Sequence, residues 1–251
     1  MVYLIASAIS SKGFVDEEDD EGVTEEGYEL FKAESSDMMG ADEDPDLTTL
    51  HNYLNEKEAA ISCMGWAVFN YPELVQKYIP KVKEVLLELS TFGVSPNVPA
   101  ASVTALVQLA SCVQTITDVD FFWVKGVSKE LHPDVKLIVD DASETMMYNL
   151  QTQDDIIVRT SLEAVIKLGQ AFGPSALAES LDEIVDTIQT LLKNEHPCQQ
   201  LRESFDEEDE GVALLFNTTM ESMFVFLFLL VSLPFLPFYL FFNFFPQCHS
   251  F

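Results

Sequence analysis

The sequence predicts an all-α fold, an α-solenoid of antiparallel helical hairpins, on three observations. Apolar residues recur at helical spacing through residues 47–199. Runs of β-branched residues with a period of two are absent. Grouped in pairs, the predicted helices start near residues 54, 97 and 154, at intervals of 43 and 57, and the first interval matches the period of stacked helical repeats.

Each helix is marked by its own stripe and punctuation. Leu50, Tyr53, Leu54, Ile61, Met64 and Val68 share one face, so 53–69 reads as a helix that Asn70 and Pro72 end. A second begins near Glu73 with Leu74, Ile79, Val82, Val85, Leu86 and Leu89 as its stripe. Its Pro80 falls early, where proline starts a helix rather than breaking one. Gly93 and Pro96 mark the next boundary. Val103, Leu106, Val107, Leu109 and Val113 place a third helix at about 97–117, and Val135, Ile138, Val139, Ala142 and Met146 a fourth at about 133–150. Asp154 and Asp155 open the fifth, where acids suit the positive end of the helix dipole, and Gly169 and Gly173 close it. Pro174 stands near the start of the sixth, striped by Leu177, Leu181, Ile184, Val185, Ile188, Leu191 and Leu192. The longer second interval needs an insertion at 118–132. A single hairpin cannot bury its stripe alone, and stacking completes the burial. A closed six-helix bundle is the competing all-α arrangement.

Charge is segregated along the chain. Forty-two acidic residues against 13 basic give a formal charge of −29, so direct nucleic-acid binding through phosphates is not expected. Residues 1–46 form an acidic leader read as largely disordered, and residues 16–26 alone hold eight carboxylates and no cation. Met1 to Gly13 lacks the basic start of a signal peptide. Residues 200–222 read as an acidic linker containing Asp206-Glu207-Glu208-Asp209-Glu210. Met223 to Phe245 has 23 residues, no charge and nine Phe, enough for one membrane span of about 20 residues. Pro234 and Pro237 interrupt it, and the other readings of this segment are a buried helix or a translated non-coding stretch from an erroneous gene model.

Particular residues carry a family resemblance. Asp155-Ile156-Ile157-Val158-Arg159, followed by Leu162-Glu163-Ala164-Val165 and Leu168-Gly169, resembles the first helix of a HEAT repeat. Tyr78-Ile79-Pro80-Lys81-Val82 with Val85-Leu86-Leu87-Glu88-Leu89 resembles the start and stripe of another repeat helix. Leu54-Asn55-Glu56-Lys57-Glu58-Ala59-Ala60, with the acidic block after Cys198-Gln199-Gln200, is similar to the centre of importin-beta superfamily (karyopherin) receptors, nearest their importin-4 branch. The resemblance covers about residues 45–210 and implies about three HEAT repeats from the central part of a nuclear import receptor, at work in cytoplasm and nucleus. It implies basic cargo of histone or ribosomal type on the inner helices, and nucleoporin Phe-Gly repeats on the outer ones. No Ran GTPase contact is assigned, because counterparts of the family's N-terminal repeats are not evident. The alternatives are a non-transport HEAT scaffold and an adaptor anchored in a membrane by 223–245.

If the second helix of each pair lines the concave side, it supplies Glu84 and Glu88, then Asp134, Asp140, Asp141 and Glu144, then Glu179, Asp182, Glu183 and Asp186. Asp182 and Asp186 share a helix face. These acids, Asp134 aside, are the candidate cargo-binding residues, by charge complementarity to Lys/Arg-rich clients. No catalytic chemistry, cofactor or metal is expected. His51, His132, His196 and His249 stand apart at no metal-helix spacing, and nucleophile-elbow, P-loop and CxxC motifs are absent. Cys63 and Cys112 are assigned to core-facing helix positions, His132 and His196 to loops before prolines, and Trp66 and Trp123 to packing.

Overall fold

All six apolar stripes fold as helices in the computed structural model, which describes residues 1, 3–5, 45–118, 123–124, 130–200 and 210–230. Among the described residues no strand occurs, so the all-α class holds. The acidic leader up to 44, most of the 118–132 insertion, residues 201–209 and the apolar residues after 230 lie outside the described residues. The chain divides into two compact units, residues 1–109 and 110–251.

In the first unit, α1 runs from Pro45 to Asn70. It starts eight residues earlier than the apolar stripe predicts, and proline's fixed φ suits that first helical position. Asn70 Nδ2 donates to Trp66 O, 2.8 Å, within the last turn. The short α2 (Pro72–Val75) and a 3-10 turn (Gln76–Tyr78) lead into α3 (Ile79–Leu89), with Pro80 in its first turn as predicted. Ile61, Met64 and Val68 of α1 and Val82, Val85, Leu86 and Leu89 of α3 are buried. Val98, Val103, Leu106 and Leu109 in the first part of α4 (Asn97–Thr117) are buried as well. A Cβ on Gly65 of α1 would stand only 3.0 Å from Ala105 Cβ on α4, so the two helices cross where α1 has no side chain. α4 is long and apolar enough to span a bilayer by composition, but most of it is buried within the protein, as befits a core helix.

Trp66 and Cys63 correct the sequence reading. Both are exposed, Trp66 packing edge-on against Tyr71 at 5.5 Å between ring centroids. The α1 stripe through Ile61, Met64 and Val68 leaves positions 63 and 66 on the outer flank. Cys112, by contrast, is buried as expected, and burial pushes its thiol up to about 11, which removes it from nucleophilic chemistry.

The second unit is organised around α6 (Asp155–Phe172). Asp154 caps its start, accepting from the N–H groups of Ile156 (2.9 Å) and Ile157 (3.1 Å). Gly173, at φ 85°, ends it. α5 (Pro133–Leu150) precedes it, with Pro133 at its first position and His132 as its cap: Asp134 N–H donates to His132 Nδ1, 3.3 Å. A 3-10 turn (Pro174–Leu177) separates α6 from α7 (Leu181–Leu192), and α8 (Pro197–Gln200) and α9 (Glu210–Leu230) follow. α6 packs against α5, the 3-10 turn, α8 and α9, and α7 packs against α5 and α9. Val158, Leu162, Val165 and Leu168 fill the space between them with no exposure. The boundary read at 222/223, between acidic linker and apolar segment, falls inside one continuous helix. Leu215 drives it: it is buried on the face of α9 that packs onto the body.

Candidate functional site: an acidic cleft on α5

α5 is two-faced. Val135, Ile138, Val139, Ala142 and Met146 are buried on one side, while Lys136, Asp140, Ser143, Glu144 and Met147 fall at i, i+4, i+7, i+8 and i+11 along another. There Ser143 and Met147 are buried at the floor and the charged residues are open to solvent. That side, with Asp141, forms one wall of a cleft of ≈ 370 Å³. Ala176 of the 3-10 turn, Glu179, Ser180 and Glu183 form the opposite wall. Two contacts set the spacing between the walls. Ser143 Oγ and Ser180 Oγ lie 2.9 Å apart, and Gln151 Nε2 donates to Glu183 Oε1 at 3.2 Å.

Five carboxylates therefore face one cleft, against one ammonium. Lys136 Nζ donates to both oxygens of Asp140, at 2.9 and 2.8 Å. That hydrogen bond, then the charges of Asp140 and Glu179, hold the Lys136 ammonium above its ordinary value. The lysine is a local counterion that cancels part of the field. Five acids less one base leave a formal lining charge of −4. A concave, acid-lined surface of this kind attracts cationic side chains and holds them by multiple weak contacts.

The structure thus brings together Asp140, Asp141, Glu144, Glu179 and Glu183 of the predicted acids. Asp182 and Asp186 are exposed on α7 outside the cleft lining. Glu84 and Glu88 belong to α3, in the first unit. Glu84 accepts from Lys81 Nζ at 2.9 Å, and Glu88 acts on Lys57. Lys57 is almost wholly buried, its ammonium 5.2 Å from the Tyr53 ring centroid and 5.3 Å from that of Phe92. Burial lowers its proton affinity and Glu88 opposes that shift. Glu88 therefore serves an internal cation. Asp134 stands beside His132, its Oδ2 3.6 Å from Nδ1.

Sequence reasoning missed two polar arrangements in this unit. One is the Lys136–Asp140 pair, which the i,i+4 spacing announces. The other is His196, which stands in the loop before Pro197 as read, but is buried there. Its Nε2 lies 2.8 Å from Leu150 O, and its Nδ1 lies 3.3 Å from the backbone N of Cys198 and 3.0 Å from Cys198 Sγ. The Cys198 N–H donates to Nδ1, so the ring proton sits on Nε2 and is given to Leu150 O. His196 thereby ties α8 to the end of α5. Burial lowers its proton affinity, opposed by the Leu150 carbonyl, so it stays neutral. Among the described residues no group of three or more His, Cys, Asp or Glu is arranged to hold a metal ion.

No protein-family model matches this chain, and a comparison with characterised proteins finds no significant relative. The likeness to importin-beta superfamily receptors rests on the sequence segments quoted above.

Proposed function

We propose that the protein is a receptor for Lys/Arg-rich proteins, a HEAT-type helical repeat body that holds basic segments in the acidic cleft on α5. The carrying observation is the convergence of Asp140, Asp141, Glu144, Glu179 and Glu183, from two separate elements, on one concavity. The neighbour relations within the second unit support the repeat reading. In stacked hairpins first helices lie beside first helices and second beside second, and here α6 lies against α9 and α5 against α7. With the sequence resemblance, this favours cargo binding of the nuclear-import kind, with histone-tail-like or ribosomal-protein-like segments as clients.

Fluorescence anisotropy with a Lys/Arg-rich peptide across a salt series tests the reading. Binding is expected at low salt, weakening steeply as salt rises. The triple variant Asp141→Asn/Glu144→Gln/Glu183→Gln loses about tenfold or more in affinity, while Asp182→Asn/Asp186→Asn, outside the lining, loses far less. A wild-type chain that ignores the peptide at low salt, or a triple variant that binds like wild type, ends the proposal. Retention on immobilised Phe-Gly repeats separates transport from scaffolding.

A further inference from the structure

α9 turns small hydroxyl side chains toward the body and several large apolar ones outward. Leu215, Thr218, Thr219 and Ser222 are buried on the side that packs against α6 and α7. Two of those hydroxyls are satisfied within the helix itself: Thr219 Oγ1 donates to Leu215 O at 2.8 Å, and Ser222 Oγ to Thr218 O at 2.7 Å. The large apolar groups point outward instead. Phe216 is 55% exposed and Phe224 60%, and half-buried Met220 and Met223 fall between them, at i, i+4, i+7 and i+8 of one stripe. Water selects the reverse pattern, apolar in and polar out. Small hydroxyl residues inward with large apolar residues outward is the sorting selected where the outer medium is hydrocarbon.

Charge gives a second, independent indication of what covers the stripe. All of the chain's −29 lies before residue 222, and Ser222 to Phe251 contains no Asp, Glu, Lys or Arg. Glu221, the last charged residue, is exposed three residues before Phe224 and, with exposed Asn217, borders the stripe along one side. Beyond Glu221 the sequence therefore carries no ionic group to desolvate. A second copy of the chain fits less well. Two part-exposed Phe and two half-buried Met offer far less than the roughly 800 Å² per partner of a standard protein interface. The acidic chain also lacks the cationic face that draws helices to anionic lipid, so the matching surface is zwitterionic.

We propose that the Phe216–Met220–Met223–Phe224 stripe of α9 lies in the interface of a zwitterionic lipid bilayer, seating the helical body directly against the membrane. Because α9 is packed on α6 and α7, the seat is part of the folded unit and does not hang from it by a linker. The inference is independent of the cleft on α5.

Flotation of the purified full-length chain with phosphatidylcholine vesicles tests it. Wild type is expected to float equally at low and high salt, since apolar insertion is not screened. Phe216→Asp/Phe224→Asp, and the milder Phe216→Ser/Phe224→Ser, reduce flotation about tenfold or more with helical circular dichroism unchanged. An added fluorophore, Phe216→Trp, shifts to the blue on vesicle addition and is quenched by brominated acyl chains. Wild type left at the bottom of the gradient overturns the proposal. So does a double variant that floats like wild type, which would place the anchor beyond α9. So too does a dimer, by light scattering, that the double variant converts to monomer, which would mean that a second copy covers the stripe.

Discussion

Trp123 sets its indole edge, Nε1 and Cδ1, on the point beside Gly173 where any other residue would carry its Cβ. Gly173 is also at φ 85°, where only glycine rests without strain. One glycine therefore both ends α6 and seats a tryptophan from the connection before α5. Gly173→Ala has two independent costs, backbone strain and collision with the ring. Urea unfolding of this variant should show a loss of about 2–4 kcal/mol. Trp123→Ala/Gly173→Ala should recover part of what the single glycine variant loses beyond the effect of Trp123→Ala alone. Strictly additive effects would mean that the two residues do not act together.

His196 makes stability depend on pH. Its folded-state proton affinity lies below the ordinary value of 6.5. Above that value neither state binds the proton and nothing is lost. As pH falls below 6.5, the unfolded chain takes up a proton that the buried ring refuses, so stability declines. The slope from this one group approaches, at most, about 1.4 kcal/mol per pH unit. Chemical denaturation between neutral pH and pH 5 should show a shallower decline in His196→Asn than in wild type. Parallel curves would remove His196 as the cause.

Lys136 restrains the cleft it lines. Replacing it with Gln frees Asp140 from its ion pair and removes the one cation of the lining. Affinity for a Lys/Arg-rich peptide should then rise about two- to fivefold at low salt, with the gain vanishing at high salt. A fall in affinity would show that Lys136 itself contacts the ligand.

Ser161, on α6, is fully buried, and its hydroxyl has no hydrogen-bond partner among the described residues. An orphan polar group is a cost that an apolar replacement of similar shape relieves. Ser161→Ala should therefore match or exceed wild-type stability, by up to about 1 kcal/mol in thermal unfolding. A clear loss would reveal a partner for the hydroxyl.

The sequence was most legible where punctuation and period coincide. Pro133, the Asp154–Asp155 pair and Gly173 fixed the ends of α5 and α6, because each acts through local backbone chemistry. The start of α1 was missed because its first turns carry a sparse stripe, and α7 begins later than Pro174 suggests because a 3-10 turn intervenes. The same turn explains the acids. Periodicity groups Asp182 with Asp186, but only the path through Pro174–Leu177 and Ser180 decides that Glu179 and Glu183 face α5. α9 was hidden by composition, an acidic half and an apolar half that read as separate segments although one helix spans both. Lys57 and His196 gave no warning in sequence, since their burial depends on Phe92, distant along the chain, and on the Leu150 carbonyl.

The placement of α6 among neighbours that precede and follow it has a consequence for biogenesis. Its partner α5 is synthesised before it, so that hairpin can close as soon as both emerge from the ribosome. Its other long partner, α9, begins only at Glu210. During that interval of translation one side of α6 has nothing to lie against, and the nascent chain is then at its most vulnerable to chaperone capture or aggregation. Ribosome-bound chains from which α6 has emerged but α9 has not are accordingly expected to be held by chaperones, and chains from which α9 has emerged in full to be released.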